Sequence, residues 1–236
     1  MQPVWARSNY EARDPCAPRW GISMVKRGDV FHNPITGERA TIRLGTRETR
    51  GERMVVDLEL RGAGFGSALH LHPSIHERLR VVSGSVGIFI DGAISIAELG
   101  KTIEIPPGVP HRFWNAGIIE AKLMMDIRPA NRFEAFTRNM IGLAQDGKTG
   151  PKGMPNLLQL AVIAREFDDV IQFLSPPRFL QSALFPILAP IARMRGYKGS
   201  YSEYVFRSPS ERVQSEAKTQ MLEHSWKSPG GNHANP

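Results

Sequence analysis

From Val25 to Pro129 the apolar positions recur with a period of two, in short runs cut by Gly, Pro, Asn and Asp. That is the signature of half-buried antiparallel strands joined by tight turns. Residues 54–60 show it best: Met54, Val56, Leu58 and Leu60 face one way, and Val55, Asp57 and Glu59 the other. Residues 86–90, Asp91-Gly92 and 93–96 read as a hairpin, since Asp-Gly tolerates the positive φ angles of a two-residue turn. Further strands are predicted at 40–44, 102–105, 110–115 and 121–127, with a turn at 33–37 and a stop at Pro106-Pro107-Gly108. The spacing predicts an all-β barrel or sandwich.

After Pro129 the period becomes helical. Asn131 and Glu134 predict an N-cap with a partial capping box. Phe133, Phe136, Met140 and Leu143 form one stripe; Leu157, Leu160, Ala161, Ala164, Phe167, Ile171 and Leu174 form another. A third, more apolar segment, 178–194, is expected to be interrupted by Pro186 and Pro190. The expected organisation is an irregular arm at 1–25, a β domain at 26–129, a helical extension at 130–206 and a polar, flexible tail at 207–236.

Composition narrows the function classes. The chain of 236 residues is 41% hydrophobic, enough for a core, and the lone Cys16 rules out an internal disulfide framework or a multi-cysteine zinc site. No secretory-type apolar run opens the sequence and no stretch nears the ~18 apolar residues of a membrane span. A cytoplasmic protein is expected. The net charge of +7 is scattered among acids without a basic run, which argues against nucleic-acid binding.

The chemistry concentrates in two stretches. In GFGSALHLHPSIHERLRVVSG (64–84), His70 and His72 stand two apart, so on a strand both rings project to one face. Glu77 follows a Pro73-Ser74 turn and shares its face with Leu79 and Val81. The second stretch, GKTIEIPPGVPHRFWN (100–115), adds His111, which shares a face with Phe113. Three imidazoles and a carboxylate suit one divalent transition metal: Fe, Mn, Ni, Cu, Co or Zn.

The spacings G-x5-H-x-H-x4-E-x6-G from Gly64 and G-x5-P-x-G-x2-H-x3-N from Gly100 are met at every defined position. In both, the chain resembles the cupin superfamily over about Val25 to Pro129, in the compact bacterial form. The resemblance implies a mainly β fold, an antiparallel jelly-roll barrel, here with a C-terminal α-helical extension. It implies that His70, His72, Glu77 and His111 hold the metal inside the barrel. Gly84 and Gly108 are expected at turns, and Asn115 is expected to fix a turn through backbone bonds.

The interior positions nearest the metal, Met54, Val56, Leu58, Leu79, Val81, Phe113, Leu123 and Met125, are all apolar and are expected to line a substrate pocket. Quercetin-dioxygenase-like cupins are the natural analogue. By that resemblance the expectation is an iron- or other metal-dependent oxidoreductase, a dioxygenase acting on an apolar or aromatic molecule, with Glu77 as ligand and catalytic base. Isomerase, lyase or decarboxylase chemistry on the same site, or a non-enzymatic binding protein, are the alternatives. A homodimer is expected. His76, beside Glu77, should point outward. Gly142 to Thr149 matches a phosphate-loop pattern literally, but it closes a predicted helix instead of opening one, so it reads as a helix end. Residues 177–198 are expected to pack on the barrel or a partner, to touch a membrane surface, or to lid the barrel mouth.

Overall fold

The structure, a computed structural model, describes residues 24–206. The expected tail at 207–236 lies outside them, as does all of the expected arm but its last two residues. Numbered in chain order, eleven strands among the described residues form two antiparallel sheets. The first runs β1 (Val30–His32), β2 (Arg39–Leu44), β3 (Met54–Leu60), β10 (Ala121–Arg128), β5 (His76–Ser83), β8 (Thr102–Ile105). The second runs β11 (Gln172–Phe173), β4 (His70–Leu71), β9 (His111–Asn115), β6 (Val86–Ile90), β7 (Ala93–Ala97). This is a jelly roll, mainly β, with helices following it.

Alternation explains the core. In β5, Glu77, Leu79 and Val81 are buried while Arg78, Arg80 and Val82 are exposed. Strand β10, between β3 and β5, puts Leu79 opposite Met125 and Met125 opposite Val56. The β6–β7 hairpin turns at Asp91 (φ 45°) and Gly92 (φ 88°), both left-handed as a two-residue turn requires.

Five helices are described: α1 (Thr46–Thr49), α2 (Asn131–Gln145), α3 (Leu157–Glu166), α4 (Arg178–Met194) and α5 (Ser202–Phe206). Three features depart from the sequence expectation. Ala130, not Asn131, occupies the cap position of α2, and no side chain caps it. Glu134 is buried and turned elsewhere: its carboxylate accepts from the Val25 N–H at 3.0 Å and from the Thr46 hydroxyl, and pairs with Arg138 at 2.8 Å. It ties the start of the described chain and α1 to α2.

Helix α4 is continuous through Pro186 and Pro190. The two prolines are four apart and both exposed, so the carbonyls they leave unpaired fall on one wet face where water can bond them. Third, the extension contributes to the β wall. β11 pairs with β4, placing Phe173 opposite His70. Phe136, Leu143, Leu160 and Phe173 share one apolar core with Leu79 and Leu123. The stretch at 142–149 closes α2, with Gly147 at φ 68° and Lys148 bonded to Asp146 and Tyr204.

Candidate metal centre

Three strands and the residue that follows one of them deliver four donors. His70 opens β4 and lies directly opposite His111, the first residue of β9. His72 follows one residue beyond β4. Glu77 is the second residue of β5, opposite Ile127. The Pro106–Gly108 turn that leads into His111 is fastened to the same place, since the Gly108 N–H donates to the His72 carbonyl at 2.7 Å. Asn115 donates to the Leu60 and Ile119 carbonyls and accepts from the Gly117 N–H. His76 points outward, 3.4 Å from Glu104.

All four donor residues are buried, and one donor atom from each lies within 4.8 Å of the others. His70 Nε2 is 3.1 Å from His72 Nε2, and His111 Nε2 is 3.0 Å from Glu77 Oε2. His72 Nε2 lies 3.4 Å from Glu77 Oε1. A cation held at about 2.1 Å by each donor sets neighbouring donors roughly 3 Å apart, so the spacing fits.

The ring nitrogens on the far side make the fit specific. His70 Nδ1 is 2.7 Å from the Ala68 carbonyl, His111 Nδ1 is 2.9 Å from the Val109 carbonyl, and His72 Nδ1 is 2.6 Å from the Val170 carbonyl. A carbonyl only accepts, so each Nδ1 carries the hydrogen and each Nε2 keeps its lone pair. Three lone pairs and a carboxylate then converge on one point. Two of those lone pairs meet at the His70–His72 contact and repel unless a cation lies between them.

The electrostatics of His70 and Glu77 agree, while Glu77 draws a proton toward His72 that a bound cation would have to displace. Burial, then the neighbouring His111 and His72 rings, push His70 down to about 3, so it is neutral in ordinary buffers. Burial opposes the charge on Glu77, but His111 and His72 beside it win and hold its carboxyl well below the usual carboxylate range. Burial opposes the charge on His72 too, and there the Glu77 bond and charge raise it. A neutral imidazole beside an ionised carboxylate is the donor state a divalent metal takes.

The donors open onto a cavity of about 230 Å³ whose wall includes His70 and Glu77. Of the sequence-expected pocket residues, Met54, Val56, Leu58, Phe113 and Met125 line it. Leu79, Val81 and Leu123 do not; they are 0% exposed and fill the core between the sheets. The register explains this: Glu77, Met125 and Ile127 on the same two strands do line the cavity, whereas Val81 and Leu123 pair farther along β5 and β10, away from the donor end. The opposite wall comes from the extension, which sequence reasoning missed as a pocket element. Phe133, Phe136, Thr137 and Met140 of α2 line it, with Phe173 of β11. Phe133 also stands edge-on to His72, ring centroids 5.6 Å apart. The stripe of α2 was legible; the surface it covers was not.

Comparison with known proteins places the β region. Among solved structures, an RmlC-like cupin from Shewanella frigidimarina is 22% identical, covering 45% of this chain and 88% of its own, with a TM-score of 0.39. A predicted oxalate decarboxylase from Thermotoga maritima is 15% identical, covering 48% of this chain and 97% of its own, TM-score 0.38. A sugar phosphate isomerase from a cupin superfamily, from Silicibacter pomeroyi, is 18% identical, covering 45% and 71%, TM-score 0.35. A search of curated proteins finds no match. The cupin domain family matches residues 57–127, a span that holds His70, His72, Glu77 and His111 together. Over that segment, about a third of its length, the chain is similar to the cupin domain family.

Proposed function

We propose that the protein is a metal-dependent cupin enzyme with dioxygenase-type chemistry on an apolar or aromatic small molecule. One observation carries the reading: the donor group opens directly onto a cavity that is otherwise largely apolar. His70, His72, Glu77 and His111 would hold the metal, which when bound supplies Lewis acidity and an open position for dioxygen or a substrate oxygen. The chain's own residues do the rest. The carbonyls of Ala68, Val109 and Val170 keep the rings oriented. Phe133, Phe113 and Met54 exclude water and press the substrate against the donors. Glu77, ionised by its surroundings, accepts a hydrogen bond from a substrate hydroxyl, and would act as base once a bound cation displaces the His72 and His111 contacts that now lower it.

The test is metal analysis of the purified protein, followed by dioxygen uptake with a panel of phenolic compounds. Stoichiometric metal with substrate-dependent uptake is the expected result. Turnover without dioxygen consumption would instead favour isomerase, lyase or decarboxylase chemistry on the same donors.

A second, separate feature supports a peripheral membrane contact. Among the described residues no helix is long and apolar enough to cross a membrane. Yet α4 exposes Phe179 (72%), Ile187 (62%) and Met194 (80%), with exposed Arg193, Arg195 and Lys198 at its end. An apolar face beside cations matches an anionic lipid surface. Cosedimentation with phosphatidylserine-containing but not phosphatidylcholine vesicles is expected, and loss of it in Phe179→Ser/Ile187→Ser.

A further inference from the structure

The cavity has a second polar end that the donor group does not explain. Glu38, just ahead of β2, shares a strand face with Ala40 and Ile42 because the three are two residues apart. All three line the cavity. Ile42 lies opposite Val56 and Ala40 opposite Leu58, on the cavity wall that leads away from the donors. Four residues of strand carry Glu38 about 13 Å beyond Ile42.

At that end the rim is made of two turns from distant parts of the chain. Gly153 packs on the β1–β2 turn so closely that a Cβ there would sit 2.9 Å from Thr36 Cγ2 and 3.5 Å from Asn33 Nδ2. Asn33 has its side-chain oxygen committed to the Ile35 and Thr36 N–H groups. The Thr36 hydroxyl donates to Glu38 Oε2 at 3.0 Å. Among the described residues nothing bonds Glu38 Oε1, and no cation pairs with this carboxyl. The cavity wall it shares includes the apolar Ala40, Leu58, Met140 and Met154. Burial raises its pKa, the Thr36 bond only partly offsetting that. The free oxygen is not sealed in the protein, so water bonds it when the cavity is empty, and a ligand that displaces this water must bring a donor of its own.

We propose that Glu38 is the second recognition point of this pocket. Its carboxyl bonds a hydroxyl or amino group at the outer end of an elongated, otherwise apolar ligand whose inner end lies at the metal donors. The inference rests on the cavity being the substrate pocket. It narrows the substrate class from apolar molecules in general to those with a hydrogen-bond donor remote from the reacting end. It also assigns specificity to a residue outside both sequence motifs.

The test uses linear decanol and its α,ω-diol, titrated by calorimetry into wild-type, Glu38→Leu and Glu38→Gln protein, each metal-free and metal-loaded. A lost hydrogen bond to a charged group predicts that Glu38→Leu weakens the diol about tenfold relative to decanol. Glu38→Gln, which can still accept, retains most of the diol's relative affinity and controls for misfolding. A diol-to-decanol ratio unchanged in Glu38→Leu, or a wild-type protein that binds neither, overturns the proposal. The metal-free arm reads Glu38 without the donor group. Failure of metal to bind at all would sink the proposed function while leaving this ratio measurable.

Discussion

If the extension is part of the metal centre, weakening β11 must weaken metal binding and not merely the fold. Phe173 is the lever. It is 5% exposed, faces His70 across the β4–β11 pair, and packs with Phe136 at 6.1 Å between ring centroids. Three residues before it, the Val170 carbonyl anchors His72. Phe173→Ala removes a buried aromatic ring, a change that costs about 3–5 kcal/mol in a packed core. Because β11 has only two residues and sits at a sheet edge, much of that loss is expected as local detachment of 170–173 and not global unfolding. His72 then loses the acceptor that fixes its tautomer, and loss of such an outer partner lowers metal affinity about 10–100-fold. The assay is chelator competition for the loaded metal, beside urea unfolding. Leu143→Ala serves as control: this side chain of α2 is 0% exposed and belongs to neither the donor group nor the cavity wall, and should cost about 2–5 kcal/mol with affinity intact. Equal metal affinity in wild type and Phe173→Ala, at any cost in stability, would refute the reasoning.

Other expectations follow from single residues. His72→Ala removes one donor while leaving the β wall in place, so metal content should fall below stoichiometric with little change in far-ultraviolet circular dichroism; full retention of metal would exclude the ligand assignment. Gly84 sits at φ 72°, and a Cβ there would lie 2.8 Å from the Ala121 Cα and 2.9 Å from the Glu120 carbonyl, so Gly84→Ala should cost at least about 1–3 kcal/mol by urea midpoint. Asp126 is buried, which raises its pKa, but Arg53 at 2.8 and 2.7 Å and Arg128 at 3.1 and 3.0 Å outweigh burial and lower it. A lowered carboxyl contributes stability above its unfolded value, about 3.9, and loses it as pH falls through the folded value. Arg53→Ala should therefore reduce stability at neutral pH and flatten the acid limb of a stability–pH curve; parallel curves would contradict the pairing.

Much of the β wall could be read from the chain because period-two alternation is a local property. Residues 54–60 and 102–105 appear at the bounds expected, and the Asp91-Gly92 hairpin turns where its φ requirement put it. The clustering of His70, His72, Glu77 and His111 was also legible, since a two-residue spacing fixes a common face and the second motif has few other uses. What failed was long-range. Nothing local tells residues 172–173 to pair with 70–71, or marks the Val170 carbonyl as the partner of a ring 98 residues earlier. Leu79, Val81 and Leu123 alternate as pocket residues would, but a sheet face has a packed end and an open end, and only tertiary structure says which is which. Pro186 and Pro190 looked like a break because propensity cannot see that both face water.

The Val170 contact also sets an order of events during synthesis. The two motifs leave the ribosome long before residue 170 does, so a nascent chain already holds the four donors while one ring is still free to rotate. If these side chains hold a cation, tight loading would wait for the last third of the chain to emerge and settle. A protein built this way would sample its ion late, when the surrounding walls are already in place to decide which one is kept.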